Sequence, residues 1–128
     1  MNIWYGTGEN AQFSNLTLRP FTGSEGREYY SVEHAYQVWK SGVFNNKLHA
    51  NPAWKSAGTK LRGYSPRTSE GYNVKVMKRA IELSFQQNTK AREELLATGD
   101  TVFTHNQDNT VWNKLFPKLL MEVREELK

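Results

Sequence analysis

A chain of 128 residues without cysteine has no disulfide framework and no thiolate zinc site, and it is long enough to bury a core as a single domain, residues 1–128. Its formal charge of +4 favours anionic partners but does not by itself identify a nucleic-acid binder. No segment approaches the apolar length that spans a bilayer, and Met1-Asn2-Ile3-Trp4-Tyr5-Gly6 lacks the basic region and apolar run of a leader, so a soluble cytoplasmic protein with no membrane partner is expected.

Ile3-Trp4-Tyr5 reads as a short strand closed by a turn at Gly6-Thr7-Gly8, and no G-x-G-x-x-G or Walker pattern follows it. In Phe13-Ser14-Asn15-Leu16, Asn15 is either an Asx-turn residue or an amide presented to a ligand. The turn cluster Thr22-Gly23-Ser24-Glu25-Gly26 joins Pro20-Phe21 to Glu28-Tyr29-Tyr30 in a predicted hairpin. Ser31 is a good N-cap, and Val32, Ala35, Tyr36, Trp39 and Val43 space out one apolar stripe, which predicts a helix beginning at Val32. On that helix Glu33, Gln37 and Lys40 fall at i, i+4 and i+7 and share a polar face beside the stripe. Such a face is either a solvated ladder or one wall of a ligand site. Tyr30 ahead of the cap, His34 after the acid, and Tyr36 and Trp39 on the flanks favour the wall.

A short helix is expected within Leu48 to Ser56, then a basic loop from Thr59 to Arg67, whose Arg62 and Arg67 are either solvated charges or a pyrophosphate site. Lys and Arg dominate from Lys55 to Arg79, while Glu122, Glu125 and Glu126 sit near the other end, so a basic middle and an acidic end are expected. A central buried helix is predicted over about 69–87, with Val74, Met77, Ile81 and Phe85 inward. Asn88 or Thr89 caps the next helix, which turns Ala91, Leu95 and Leu96 inward and stops before Gly99. Val102-Phe103-Thr104 reads as a strand. In the polar loop that follows, Asp108 or Asn109 serves as an N-cap with Trp112 as a core plug, or these residues join a site. The last helix is expected from Pro117 to Leu127, with Pro117 in its first turn.

The three histidines, at positions 34, 49 and 105, have no H-x-x-x-H spacing, so no metal is expected, and no G-x-S-x-G marks a serine nucleophile. Acids, an amine and aromatic rings remain, and they suffice for glycosidic chemistry without a cofactor. A carboxylate stabilises an oxocarbenium-like sugar or activates water, and rings stack on a base.

Phe13-Ser14-Asn15, then Tyr30-Ser31-Val32-Glu33-His34-Ala35-Tyr36-Gln37 with Lys40, then Leu95-Leu96-Ala97-Thr98-Gly99-Asp100 and Leu120-Met121-Glu122-Val123-Arg124 occur in an order that resembles the YbiA-like, or NADAR, family. The resemblance implies an α+β, predominantly helical fold with a small sheet or hairpin near the N-terminus, and cleavage of N-glycosidic bonds. The substrate classes it implies are ADP-ribose on guanine in nucleic acid, the one favoured here, and the ribosylamine phosphates of early riboflavin synthesis; a non-catalytic ADP-ribose or nucleic-acid binding module is the alternative. By resemblance Glu33 is the catalytic acid, with Lys40, Asn15, His34 and Gln37 in the same pocket. On that expectation Arg62 and Arg67 are candidates for the phosphates, and Trp112 or Tyr30 for stacking on the base. The chain departs from the family's D-x-x-W-G spacing: Asn109 stands in register, Asp108 lies one residue early, and Asn113 follows Trp112. Asp108 is the expected third catalytic group from that shifted position.

Overall fold

The computed structural model describes residues 1–3, 10–15, 17–41, 70–105 and 111–128. The expected strand beyond Ile3, the short helix within 48–56, the loop bearing Arg62 and Arg67, and Asp108 with Asn109 lie outside the described residues. Four helices and one two-stranded antiparallel sheet among the described residues make a predominantly helical α+β fold.

The sheet is the predicted hairpin. Strands β1 (Phe21–Thr22) and β2 (Glu28–Tyr29) pair with Phe21 opposite Tyr29, so the period of two turns both rings into the core and leaves Thr22 and Glu28 outside. Gly26 closes the turn at φ 85°, a conformation that a residue with a Cβ rarely adopts, and donates its N–H to the carbonyl of Gly23. Helix α1 (Val32–Ser41) leaves this hairpin directly. It packs on α2 (Glu70–Gln87), the long helix at the centre, where Met77, Ala80, Ile81 and Phe85 are buried at the spacing of one face.

Helix α3 (Thr89–Ala97) follows after a single residue, Asn88, which holds the N-cap position. The Asn88 side chain does not cap. Its amide instead donates to the carbonyls of Pro20 (2.9 Å) and Ser84 (2.7 Å), tying the joint to the hairpin's entry. Leu95 is fully buried, whereas Leu96, expected inward, is only half-buried: adjacent helical positions diverge by about 100°, and α3 presents one side to its neighbours. Gly99 takes φ 60° just past the helix end, as the C′ position requires.

Val102 to Thr104 forms no strand. Among the described residues a single parallel bridge links Asn2 to Thr104, and Ile3 and Phe103 are buried beside it while Val102 is exposed. Helix α4 (Trp112–Leu127) begins five residues before the expected start, which places Pro117 in its interior. Proline there removes one hydrogen bond to the preceding turn. The helix forms regardless because Phe116, Pro117, Leu119, Leu120 and Val123 bury a continuous apolar face against the core. Arg124, on the same helix, is buried with its guanidinium 4.7 Å above the Phe103 ring and donates from Nη1 to Thr98 Oγ1 (2.9 Å) and the Thr101 carbonyl (2.8 Å). The Thr98-Gly99 block and the block ending at Arg124 thus meet as structural partners.

The basic middle and acidic end also meet in part. Lys78 of α2 pairs with Glu126 (2.9 Å) and Glu122 (3.6 Å) of α4, so this portion of the two charge runs neutralises itself.

Alkaline unfolding has a defined sign. Burial, then the Glu25 hydrogen bond, push the Tyr29 phenol from 10.0 up to about 12; burial and the Glu33 carboxylate raise Tyr36 as well. Above pH 10 the unfolded chain releases protons that the folded protein keeps, so both tyrosines lower stability as pH rises. Arg19 acts in the opposite direction, since burial brings it from 12.5 down to about 10. With two groups against one, the thermal midpoint is expected to fall between pH 10 and 12, with tyrosinate absorbance rising on unfolding. A midpoint that holds level to pH 12 would contradict this balance.

Candidate active site

The site is built at the junction of β2 and α1. Ser31 Oγ accepts the backbone N–H of His34 at 3.0 Å, and the backbone N–H of Tyr30 donates to His34 Nδ1 at 3.2 Å. The first bond is the N-cap half of a capping box, with histidine at the position usually held by Glu or Gln, and the second departs from that box because the His34 ring reaches the N–H of Tyr30, one residue before the cap, and not that of Ser31. His34 is buried, its ring stacked on Tyr30 at 6.3 Å and edge-on to Tyr29 at 5.3 Å, so it fixes where α1 starts. Ser31→Ala removes the cap and is expected to cost about 1 kcal/mol, seen as a midpoint lowered by several degrees in thermal unfolding.

Glu33 lies one residue into that first turn, where the positive end of the helix favours a carboxylate. Asn15 Nδ2 donates to one carboxylate oxygen at 2.8 Å and Gln37 Nε2 donates to the other at 2.7 Å. The main chain adds a third link: the Glu33 N–H donates to the Asn15 carbonyl at 2.8 Å. Because an ionised carboxylate only accepts, both amides must turn their NH2 groups toward it. Their carbonyl oxygens, Asn15 Oδ1 and Gln37 Oε1, are left buried without a hydrogen-bond partner among the described residues. Each such acceptor costs about 1–3 kcal/mol. The fold thus spends stability to hold one carboxylate in one orientation, with an acceptor on either side of it.

Farther along α1, the Lys40 ammonium sits 5.0 Å from the centre of the Tyr36 ring. Tyr36 meets Trp112 of α4 edge-on at 5.4 Å, and the Trp112 side chain hydrogen-bonds its phenol. Burial and the Glu33 carboxylate both push the Tyr36 phenol up, so it stays protonated through the physiological range. Glu33 and Lys40 are separated by two helical turns, about 10 Å along the axis, with Tyr36 between them.

Asn15, Glu33 and Gln37 are therefore in direct contact, and Lys40, Tyr36 and Trp112 form a second contact group on the same helix face. Trp112 is engaged edge-on with Tyr36 as part of the wall, and Tyr30 stacks on His34. The sequence marks Tyr36 as a stripe residue flanking the polar face, and its place three after Glu33 and four before Lys40 puts it between them. Arg62, Arg67 and Asp108 lie outside the described residues. No three His, Cys, Asp or Glu side chains gather as a metal site among the described residues. An open groove of about 450 Å³ lies on the hairpin side of α1, lined by Glu25, Arg27, Tyr29, Val38, Trp39 and Tyr72, and includes none of the residues around Glu33. No helix of the described residues is long and apolar enough to cross a membrane.

Residues 3–128 match the family described as the NADAR domain. The NMR structure of the E. coli protein YbiA is similar in fold, with a TM-score of 0.72 and 24% identity over 99% of this chain and 83% of that one. No curated protein matches the chain.

Proposed function

The chain belongs to the NADAR domain family, and from that premise we propose that it is an N-glycosidase that hydrolyses an N-ribosidic bond, with ADP-ribose carried on the exocyclic amine of guanine in nucleic acid as its substrate. Membership of this family supports a YbiA-like role related to N-glycosidic bond chemistry. The observation that carries the reading is the carboxylate of Glu33 held by two amide donors at 2.7 and 2.8 Å. Structural helix carboxylates do not need two buried amides, each left with an unsatisfied oxygen, to aim them. The surroundings select the ligand's edge: a carboxylate flanked by amide acceptors suits a sugar's hydroxyls and a developing positive charge at C1, and disfavours phosphate. Phosphates belong to Arg62 and Arg67, and base stacking to Trp112 or Tyr30, in the same reading. A cytoplasmic location is part of the same proposal.

In the proposed reaction the ribose ring opens as the C1–O bond breaks and C1 forms an imine with the guanine amine. Lys40 gives its ammonium proton to Glu33 and adds the resulting amine to C1, the guanine amine leaves with a proton, and C1 becomes an imine on Lys40. Water then adds at C1, the Lys40–C1 bond breaks, and ADP-ribose departs as its aldehyde, which recloses. Glu33 carries the proton at each exchange and stabilises the charge at C1. Asp108 is the candidate for a second proton carrier.

The test is incubation with an ADP-ribosylated guanine oligonucleotide and, separately, with a ribosylamine phosphate, followed by mass spectrometry. Free ADP-ribose and restored guanine from the first are expected. Release only from the second would move the substrate to the small molecule, and ADP-ribose binding with no release from either would make the chain a binding module.

A further inference from the structure

Arg19 is the most unusual charged residue of the described fold. It is 5% exposed, and among the described residues no carboxylate is in contact with it: Glu94 acts on it only through space. Four other groups receive it. Nε donates to Ser84 Oγ of α2 at 2.6 Å, Nη1 donates to the Gln12 carbonyl at 2.8 Å, and the guanidinium lies 4.2 Å above the Phe85 ring. Nη2 reaches the Ser14 carbonyl in a longer contact of 3.5 Å. A buried arginine without a carboxylate in contact is costly, and a leucine or methionine would fill the same volume at lower cost.

What this cost secures is the turn that presents Asn15. Gln12 lies in the 3-10 turn Ala11–Phe13, and the carbonyl of Ser14 shares a peptide plane with the N–H of Asn15. One side chain thus anchors that turn to α2, the central helix of the fold. The Arg19 main chain holds the other side of the junction, donating its N–H to the Tyr30 carbonyl at 2.8 Å, one residue before the cap of α1. Asn15 in turn touches Glu33 through both its amide and its carbonyl. A turn of three residues with no side-chain cap has little rigidity of its own, so the aim of the Asn15 amide depends on what pins it.

We propose that Arg19 is a positioning residue for the site: through the Gln12 and Ser14 carbonyls it fixes the turn that aims the Asn15 amide at the Glu33 carboxylate. Its effect on rate rests on the N-glycosidase reading, whereas its effect on the Asn15–Glu33 bond does not.

The test uses the full chain with R19M, R19K, S84A, N15A and R19M/N15A, read in two ways. The Asn15 side-chain amide is followed by NMR, assigned by its loss in N15A and calibrated by its displacement in E33A, which removes the acceptor. Turnover of the ADP-ribosylated guanine oligonucleotide gives kcat and KM. R19M is expected to move the Asn15 amide signal toward its E33A position and to lower kcat about tenfold, with KM within about twofold, as a misaimed group would. R19K restores most of both, and R19M/N15A turns over no more slowly than N15A alone, because both changes remove the same bond. An unmoved amide signal in folded R19M, or losses that multiply in the double variant, would overturn the proposal. S84A keeps the guanidinium and removes only its anchor on α2, so if R19M does not fold, a displaced signal in S84A supports the proposal and an unmoved one overturns it. If the wild-type protein turns over no substrate, the N-glycosidase reading fails while the amide signal still decides the role of Arg19.

Discussion

Glu33→Gln is expected to lower ADP-ribose release by about a hundredfold or more, the scale on which a positioned acid or base acts. The fold should tolerate the change well. The glutamine amide has the shape of the carboxyl, its oxygen still accepts from Asn15 Nδ2, and Gln37 needs only to rotate its amide to accept from the new NH2 group. The thermal midpoint should therefore move by no more than a few degrees. This separation is the useful feature of the variant: it removes the proton carrier and the charge facing C1 while leaving helix α1, its cap and its packing on α2 in place. A variant with wild-type turnover would show that the held carboxylate has only a structural task.

Lys40 gives the second large effect. Lys40→Arg keeps a cation over the Tyr36 ring but cannot form an imine with C1, and both Lys40→Ala and Lys40→Arg are expected to lose at least about a hundredfold in ADP-ribose release. Borohydride added during turnover should reduce the imine to a secondary amine and attach the sugar to the peptide that contains Lys40. Retained hydrolysis in Lys40→Arg, with no label on that peptide, would replace the covalent route by direct attack of water on C1 assisted by Glu33.

The parts of this fold that were legible in the sequence are those decided within a few residues. Ser31 marks the start of α1, glycine-rich Thr22 to Gly26 marks the hairpin, and Gly99 marks the end of α3, because each depends on a backbone conformation or a cap that one residue type supplies. The polar face of α1 followed equally from helical spacing. The start of α4 did not, since Pro117 signals a first turn locally, and only the packing of Phe116, Pro117 and Leu119 against the core outweighs the lost hydrogen bond. Val102 to Thr104 has strand composition but finds one bridging partner, Asn2, and a strand needs more.

The site divides in the same way. Gln37 reaches Glu33 across one turn of helix, a contact that spacing alone anticipates. Asn15 reaches it from 18 positions away, and no local rule decides between an Asx turn and an amide aimed at a carboxylate. Arg19 is more remote still, because its partner Ser84 is 65 positions distant and an arginine beside a proline reads as a surface residue until the tertiary structure buries it. His34 carried the opposite ambiguity. Its place after Glu33 suggests a ligand contact, while the structure gives its Nδ1 to the Tyr30 N–H and makes it part of the cap.

The central claim is that the carboxylate held by Asn15 and Gln37 breaks the N-ribosidic bond between ADP-ribose and guanine. Its most direct test is the intact mass of an ADP-ribosylated guanine oligonucleotide after incubation with the wild-type protein and, in parallel, with E33Q. Wild-type protein is expected to return the unmodified oligonucleotide together with free ADP-ribose, and E33Q to leave the modified mass in place over the same interval. Equal release by the two proteins, or release by neither, would contradict the claim.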